Sequence, residues 1–214
     1  MATPRRQNDR RGFLKNAAAV GAAAVAGGWL TTTQRNDAQA QAKPSVVRPP
    51  GAVDEDAFLS RCIRCLRCGD ACPNNAILPA DASYGRGAQS TPFIQPRRQA
   101  CMLCDSEPGE FLKCTEVCPS GALQPIRKNK EEIRQKVSMG TAWIDLALCY
   151  SYNDWSCGAC YRACPFPGQA MTLGLWERPE INADACIGCG LCERACIRYP
   201  QAVRVHAGDR EGQS

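Results

Sequence analysis

Cys186-Ile-Gly-Cys189-Gly-Leu-Cys192-Glu-Arg-Ala-Cys196 is the plainest of four cysteine runs in this chain. Its spacing is C-x2-C-x2-C-x3-C, the pattern by which a short loop and the first turn of a helix wrap a [4Fe–4S] cube. Three closely spaced thiolates reach three irons from one loop. The fourth Cys points away, toward a second cluster held mainly by another run. A chain with one such run should hold a partner run, and this chain holds three more. They are Cys62, Cys65, Cys68 and Cys72; Cys101, Cys104, Cys114 and Cys118; and Cys149, Cys157, Cys160 and Cys164.

All 16 cysteines of the 214-residue chain fall into these four sets. An even count in an exported chain can also mean a disulfide framework, but such a framework has no reason to repeat C-x2-C and C-x3-C steps. Zinc knuckles take Cys two at a time, which would leave the crowded third and fourth Cys of each run unused. Sixteen thiolates satisfy four cubic clusters with none over, so the expected cofactor is four [4Fe–4S] clusters with all sixteen Cys as iron ligands. An iron that already has its protein thiolate has no open position for substrate, which leaves one-electron transfer. No phosphate loop, dinucleotide fingerprint or paired His ligands occur. The single histidine, His206, reads as a solvated surface residue. No catalytic residue is expected, and the chain reads as a conductor between partners.

The formal charge of +5 comes largely from the N-terminus: residues 1–42 carry six Lys/Arg against two Asp/Glu, and the remainder carries 20 against 19. Clusters with their thiolates add negative charge, so no positive field supports nucleic-acid binding. Arg10-Arg11-Gly12-Phe13-Leu14-Lys15 is a twin-arginine pattern, followed by the 14-residue weakly apolar stretch Ala17–Leu30 and by Ala38-Gln39-Ala40 and Ala40-Gln41-Ala42 as cleavage sites. Residues 1–42 therefore read as a twin-arginine signal. A route that carries folded proteins allows clusters to be inserted before export, so the signal and the cysteine runs support each other. No further apolar stretch reaches the ~18 residues of a membrane span. Residues 43–57, with Pro44, Pro49, Pro50 and Gly51, read as an extended linker. Residues 58–206 are the cluster-bearing body and 207–214 a polar tail.

Each run is followed by a small and an apolar residue placed to pack on a cluster: Ala76-Ile77, Ala122-Leu123, Ala170-Met171 and Ala202-Val203. Residues 126–137 read as a solvated helix or turn, and Thr141–Leu146 as a strand. The insert between Cys149 and Cys157 carries Tyr150, Tyr152 and Trp155, which are expected to keep water off a cluster. The expected fold is α+β and loop-rich, with two ferredoxin-like units of two clusters each, built from short strands and helices.

The chain resembles the NapG/MauM family of exported ferredoxin-type proteins. The resemblance rests on Arg10–Lys15, on Cys62–Pro73, on Cys101-Met-Leu-Cys104 with Cys114–Leu123, on the Cys149/Cys157 spacing with Cys160-Tyr-Arg-Ala-Cys164-Pro165, and on Asp184-Ala-Cys186-Ile-Gly-Cys189-Gly. It implies a periplasmic carrier working with a polytopic, quinol-oxidising membrane partner. Electrons would pass to a periplasmic redox enzyme or cytochrome, in nitrate reduction or methylamine utilisation. Assistance in assembling a partner enzyme is the alternative role. Spacing leaves open which runs share clusters. Sequential pairing (first with second, third with fourth) and nested pairing (first with fourth, second with third) both suit it. Nested pairing is preferred, because the irregular second run resembles that of four-cluster subunits of molybdenum reductases, which pair that way.

Overall fold

The computed structural model describes residues 46–208. The signal, its cleavage sites and most of the polar tail lie outside the described residues. In chain order the helices and strands are α1 (Glu55–Arg61), α2 (Arg67–Asp70), β1 (Ile77–Pro79), β2 (Pro92–Ile94), α3 (Lys113–Glu116), α4 (Lys130–Lys136), β3 (Thr141–Ile144), α5 (Ala159–Ala163), β4 (Met171–Leu173), β5 (Pro179–Ile181), α6 (Leu191–Ala195) and β6 (Val203–His206). This is the expected mixture of short helices and strands. The strands form three antiparallel pairs: β1 with β2, β4 with β5, and β3 with β6. A lone two-stranded ribbon is marginal in water, so each pair depends on what it packs against.

The same order of elements occurs twice. In the second half β3 leads into the third run, β4 and β5 form a hairpin, and the fourth run leads into β6. Thr141 pairs with His206 and Ile144 with Val203, so the two outer strands close the half. In the first half the inner hairpin is β1–β2, with Ile77 opposite Ile94. Its outer closure is a single bridge, Ala52 to Leu123, flanked by Val53 N–H to Ala122 O at 3.2 Å and Gln124 N–H to Gly51 O at 2.7 Å. Gly51 has φ +78°, and a Cβ there would lie 2.4 Å from Gln124 O. Only glycine fits that crossing.

Residues 46–57 begin extended, as the prolines suggest, and their first five residues are packed on the body. Val46, Val47, Arg48, Pro49 and Pro50 are buried. Ile94 N–H donates to Val47 O at 2.8 Å, so the segment runs extended beside β2. The prolines exclude a helix as expected; the alternation of packed Val and Pro makes an edge instead. The Arg48 guanidinium reaches Glu55 at 2.6 and 2.9 Å, Thr91 Oγ1 at 2.8 Å and Pro92 O at 2.9 Å, and lies 4.6 Å over the Phe58 ring. α1 then begins at Glu55, because Asp54 caps Ala57 N–H at 3.0 Å and acidic residues fill the first turn. Its Phe58 is fully buried, worth roughly 1.5–3 kcal/mol of transfer free energy.

Residues 126–137 hold α4, solvated on one side as expected. Asn129 caps Glu132 N–H at 2.7 Å, Glu131–Arg134 and Glu132–Lys136 pair along the helix, and of the residues in α4 itself Ile133 alone is buried. Thr141–Ile144 is the expected strand. The main core draws on both halves: Phe58, Leu112, Leu123, Ile126 and Val137 join Phe166, Ala170, Ile187 and Cys189. The two repeats are thus one packed body.

Candidate iron–sulfur centres

Each run turns through left-handed backbone. Arg64 (φ 59°) and Leu66 (φ 56°) do this in the first run, Leu103 (φ 56°) and Cys104 (φ 52°) in the second, Gly158 (φ 58°) in the third, and Gly188 (φ 71°) and Gly190 (φ 81°) in the fourth. Left-handed residues among right-handed ones aim successive N–H groups into one concavity, which suits an anion. The fourth run needs glycine for a second reason. A Cβ on Gly188 would lie 2.4 Å from Gly140 O, and one on Gly190 would lie 2.5 Å from Pro96 Cβ. The short helix after each turn carries the third Cys inward: Cys68, Cys114, Cys160 and Cys192 are all buried.

The structure brings thiols of different runs together, with the last Cys exchanged between neighbouring runs. Cys62, Cys65 and Cys68 face one cavity with Cys118, walled by Phe58, Leu66, Ala122 and Leu123. Cys101, Cys104 and Cys114 face another with Cys72, walled by Ala76, Ile77, Ile94 and Leu112. Cys186, Cys189 and Cys192 face a third with Cys164, walled by Ala170, Met171 and Ile181. Cys149 and Cys157 lie beside Cys160. Nested pairing is therefore overturned in favour of sequential pairing. The reason lies in the hairpins: β1–β2 returns the chain from Cys72 directly to Cys101, and β4–β5 returns it from Cys164 to Cys186. The small–apolar pairs are buried as expected, and Ala76-Ile77, Ala122-Leu123 and Ala170-Met171 each wall the cavity served by the exchanged Cys just before them. The halves meet where Cys101 N–H donates to Cys189 O at 3.0 Å.

A 4Fe-4S dicluster domain model matches residues 61–122, the first two runs together, and two 4Fe-4S binding domain models match 148–167 and 178–203. The ferredoxin-type protein NapG of Escherichia coli (strain K12) is 33% identical over 209 residues, covering 93% of this chain and 86% of that protein. The methylamine utilization ferredoxin-type protein MauM of Methylorubrum extorquens is 33% identical over 213 residues, covering 96% and 91%. The chain belongs to the NapG/MauM family of ferredoxin-type proteins. Its cofactor class is accordingly [4Fe–4S], and its role is iron–sulfur electron transfer.

The chemistry of this NapG/MauM-type donor set fits such clusters. All sixteen Cys are free thiols. Among the described residues no three His, Cys, Asp or Glu side chains close on a single-ion site; the thiols ring wider apolar voids instead. Backbone N–H groups donate to sulfur at 3.4 Å from Ala76 to Cys72, Leu123 to Cys118 and Ala202 to Cys196. Burial pushes the Cys68 and Cys189 thiols up to about 12 and the Cys160 thiol up to about 11, and raises Cys101, Cys114 and Cys192 strongly. Burial disfavours these thiolates, and metal binding must displace their protons, which couples loading to proton release. Cys118 goes the other way. Burial raises it, but hydrogen bonds from Leu123, Ser120 and Ala122 outweigh that and lower it.

The insert of the third run does not shield as a unit. Trp155 is 71% exposed and keeps no water away. Tyr150 and Tyr152 are half-buried under Arg198 (5.2 Å) and Arg178 (5.6 Å). Their polar neighbours, Pro179 O for the Tyr152 hydroxyl among them, hold the loop closed over Cys149. His206 is exposed in β6, as expected. Arg97 was silent in the sequence; its Nη1 donates to Cys196 O at 2.8 Å and to Glu193 O at 3.1 Å, fastening the fourth run to the segment ahead of the second. Among the described residues no helix is long and apolar enough to cross a membrane.

Proposed function

We propose that this protein binds four [4Fe–4S] clusters and relays electrons from a quinol-oxidising membrane partner to a periplasmic reductase of the nitrate-reductase type, or in methylamine utilisation. Each cluster supplies one-electron transfer when bound. The ligand sets are Cys62, Cys65, Cys68 with Cys118; Cys101, Cys104, Cys114 with Cys72; Cys186, Cys189, Cys192 with Cys164; and, by the same exchange, Cys149, Cys157, Cys160 with Cys196. The body is then two ferredoxin-like units of two clusters each. The observation that carries this reading is the exchange of Cys118, Cys72 and Cys164 into the neighbouring set.

The sets follow one another through the body as first, second, fourth, third. The junction at Cys101 and Cys189 joins the second to the fourth. The chain's own residues bind the clusters, wall them with apolar side chains and offer N–H groups to the exchanged sulfurs. Cys65 is exposed in the first set, and Trp155 is exposed in the loop from Cys149 to Cys157. The donor is a polytopic, quinol-oxidising membrane partner and the acceptor a periplasmic redox enzyme or cytochrome, in nitrate reduction or methylamine utilisation. The names of the relatives and the Arg10–Lys15 pattern support this, with export by the twin-arginine route. Anaerobically purified protein should contain about sixteen irons; a content near eight or below would overturn the four-cluster reading. In a deletion strain the partner enzyme should accumulate in mature form while losing its electron supply. Failure to mature would instead show an assembly role.

A further inference from the structure

Of the sixteen cysteines, Cys65 alone is exposed; the others are buried or half-buried. It lines the cavity of the first set together with Ile63, Arg67 and Pro119. Ile63 is 64% exposed, and Pro119 is exposed beside Cys118. The shortest way from a cluster to a partner runs through a ligand at the surface, and here that ligand has apolar neighbours in the open.

Four exposed arginines stand on the segments that carry this centre: Arg61 at the end of α1, Arg64 in the left-handed turn, Arg67 at the start of α2, and Arg86. Arg86 comes from the loop after β1. Arg64 fastens that loop to the first run, donating to Gly87 O at 3.0 Å and to Gln89 O at 3.1 Å. Among the described residues no carboxylate pairs with any of the four. Asp54, Glu55 and Asp56 lie at the other end of α1. Asp81 accepts from Ser83 N–H at 2.8 Å, and Glu116 pairs with Lys113 at 3.5 Å. Asp70, at the end of α2, offsets one arginine of the four.

An apolar centre within a charged rim is the anatomy of a protein interface. The sign of the rim stands against that of the body. Residues 43–214 carry 20 Lys/Arg against 19 Asp/Glu, and clusters with their thiolates add negative charge. A basic rim on such a body steers an acidic surface to this one face. Arginine stays charged at any working pH, so the field is fixed. We propose that the face around Cys65 is the docking surface for the electron acceptor, which meets it with an acidic surface around its own redox centre. This rests on the four-cluster reading. One electron leaves the cluster held by Cys62, Cys65, Cys68 and Cys118, which is oxidised, and the acceptor is reduced by one electron; no bond or proton is exchanged. An anionic lipid surface would also attract the arginines, but it offers Cys65 no redox centre.

The test uses the full cluster-loaded protein, reduced anaerobically with dithionite and freed of excess, and mixed in stopped flow with an oxidised c-type cytochrome of strongly acidic surface. Reduction of the cytochrome should be fast at low salt and slow down as salt rises. The triple variant Arg61→Gln, Arg67→Gln, Arg86→Gln, at wild-type iron content, should lose about tenfold in rate at low salt and most of the salt dependence. Arg64 is kept because it holds the loop. The triple variant Lys130→Gln, Arg134→Gln, Lys136→Gln removes the same charge from α4 and should stay within about twofold of wild type. If the arginine triple variant loses iron, Arg86→Gln alone, far in sequence from every ligand, should still lose about threefold. A wild-type rate that does not fall with salt, arginine variants that keep the wild-type rate, or an equal loss in the α4 variant each overturn the proposal. So does arginine-dependent cosedimentation with phosphatidylglycerol vesicles without any effect on cytochrome reduction, which would make the face a lipid site. Wild-type protein without [4Fe–4S] signals would instead defeat the reading beneath it.

Discussion

Between Ala52 and Leu123 the outer edges of the first half meet in one bridge, whereas β3 and β6 pair over four residues in the second. In both halves a last cysteine nevertheless crosses the hairpin to the neighbouring run, Cys72 in the first and Cys164 in the second. The difference lies in what fastens each half beyond that edge. In the first half it is Arg48, buried and bound to Glu55, Thr91 and Pro92. In the second half it is backbone on backbone, with Gly188 against Gly140 and Met139 N–H donating to Ile187 O at 3.0 Å. One half is closed by a side-chain clamp and the other by close main-chain approach. The two should therefore fail to different substitutions.

The largest effect tests what the halves share. Cys72→Ser should remove the second-run cluster while the first-run cluster stays, so iron content falls by about four of about sixteen. Iron analysis with cluster-resolved resonance spectra checks this, and loss of the first-run signals instead would break the exchange. Next, Gly188→Ala probes the second half, where a Cβ would meet Gly140 at 2.4 Å; about 2–3 kcal/mol should be lost. Then comes the clamp of the first half. Arg48→Ala leaves Thr91 Oγ1 and Pro92 O without their donor and opens a gap over Phe58, with an expected loss of about 2 kcal/mol by chemical denaturation of the loaded protein. Thr115→Val leaves Ile126 N–H without its acceptor and should cost about 1–2 kcal/mol. The smallest effect sharpens the contrast. Arg64 occupies the turn that Gly188 occupies in the fourth run, but on an exposed loop, so Arg64→Gly should stay within about 1 kcal/mol of wild type.

The cysteine runs, the small–apolar pairs and β3 were legible because each is a local pattern. Spacing fixes which thiols one loop can present, and alternation fixes a strand. The pairing of runs was not legible, since intervals of 28, 30 and 21 residues fit either arrangement. What decides it is a tertiary fact, the return of each chain through its own hairpin. The segment Val46–Pro50 misled because Pro-rich composition reports the absence of helix and says nothing of burial. Trp155 misled similarly: an aromatic residue near a ligand has no sequence mark for the direction it faces. Arg97 gave no signal at all, as an isolated charge looks solvated until its neighbours are known.

The central claim is a line of four clusters ordered first, second, fourth, third, with the last Cys exchanged inside each half. Iron-edge anomalous diffraction from the loaded protein tests it most directly. The account predicts four separate iron peaks, with the peak at Cys101, Cys104, Cys114 and Cys72 neighbouring the one at Cys186, Cys189, Cys192 and Cys164. A peak shared by the first and fourth runs, or fewer than four peaks, would contradict it.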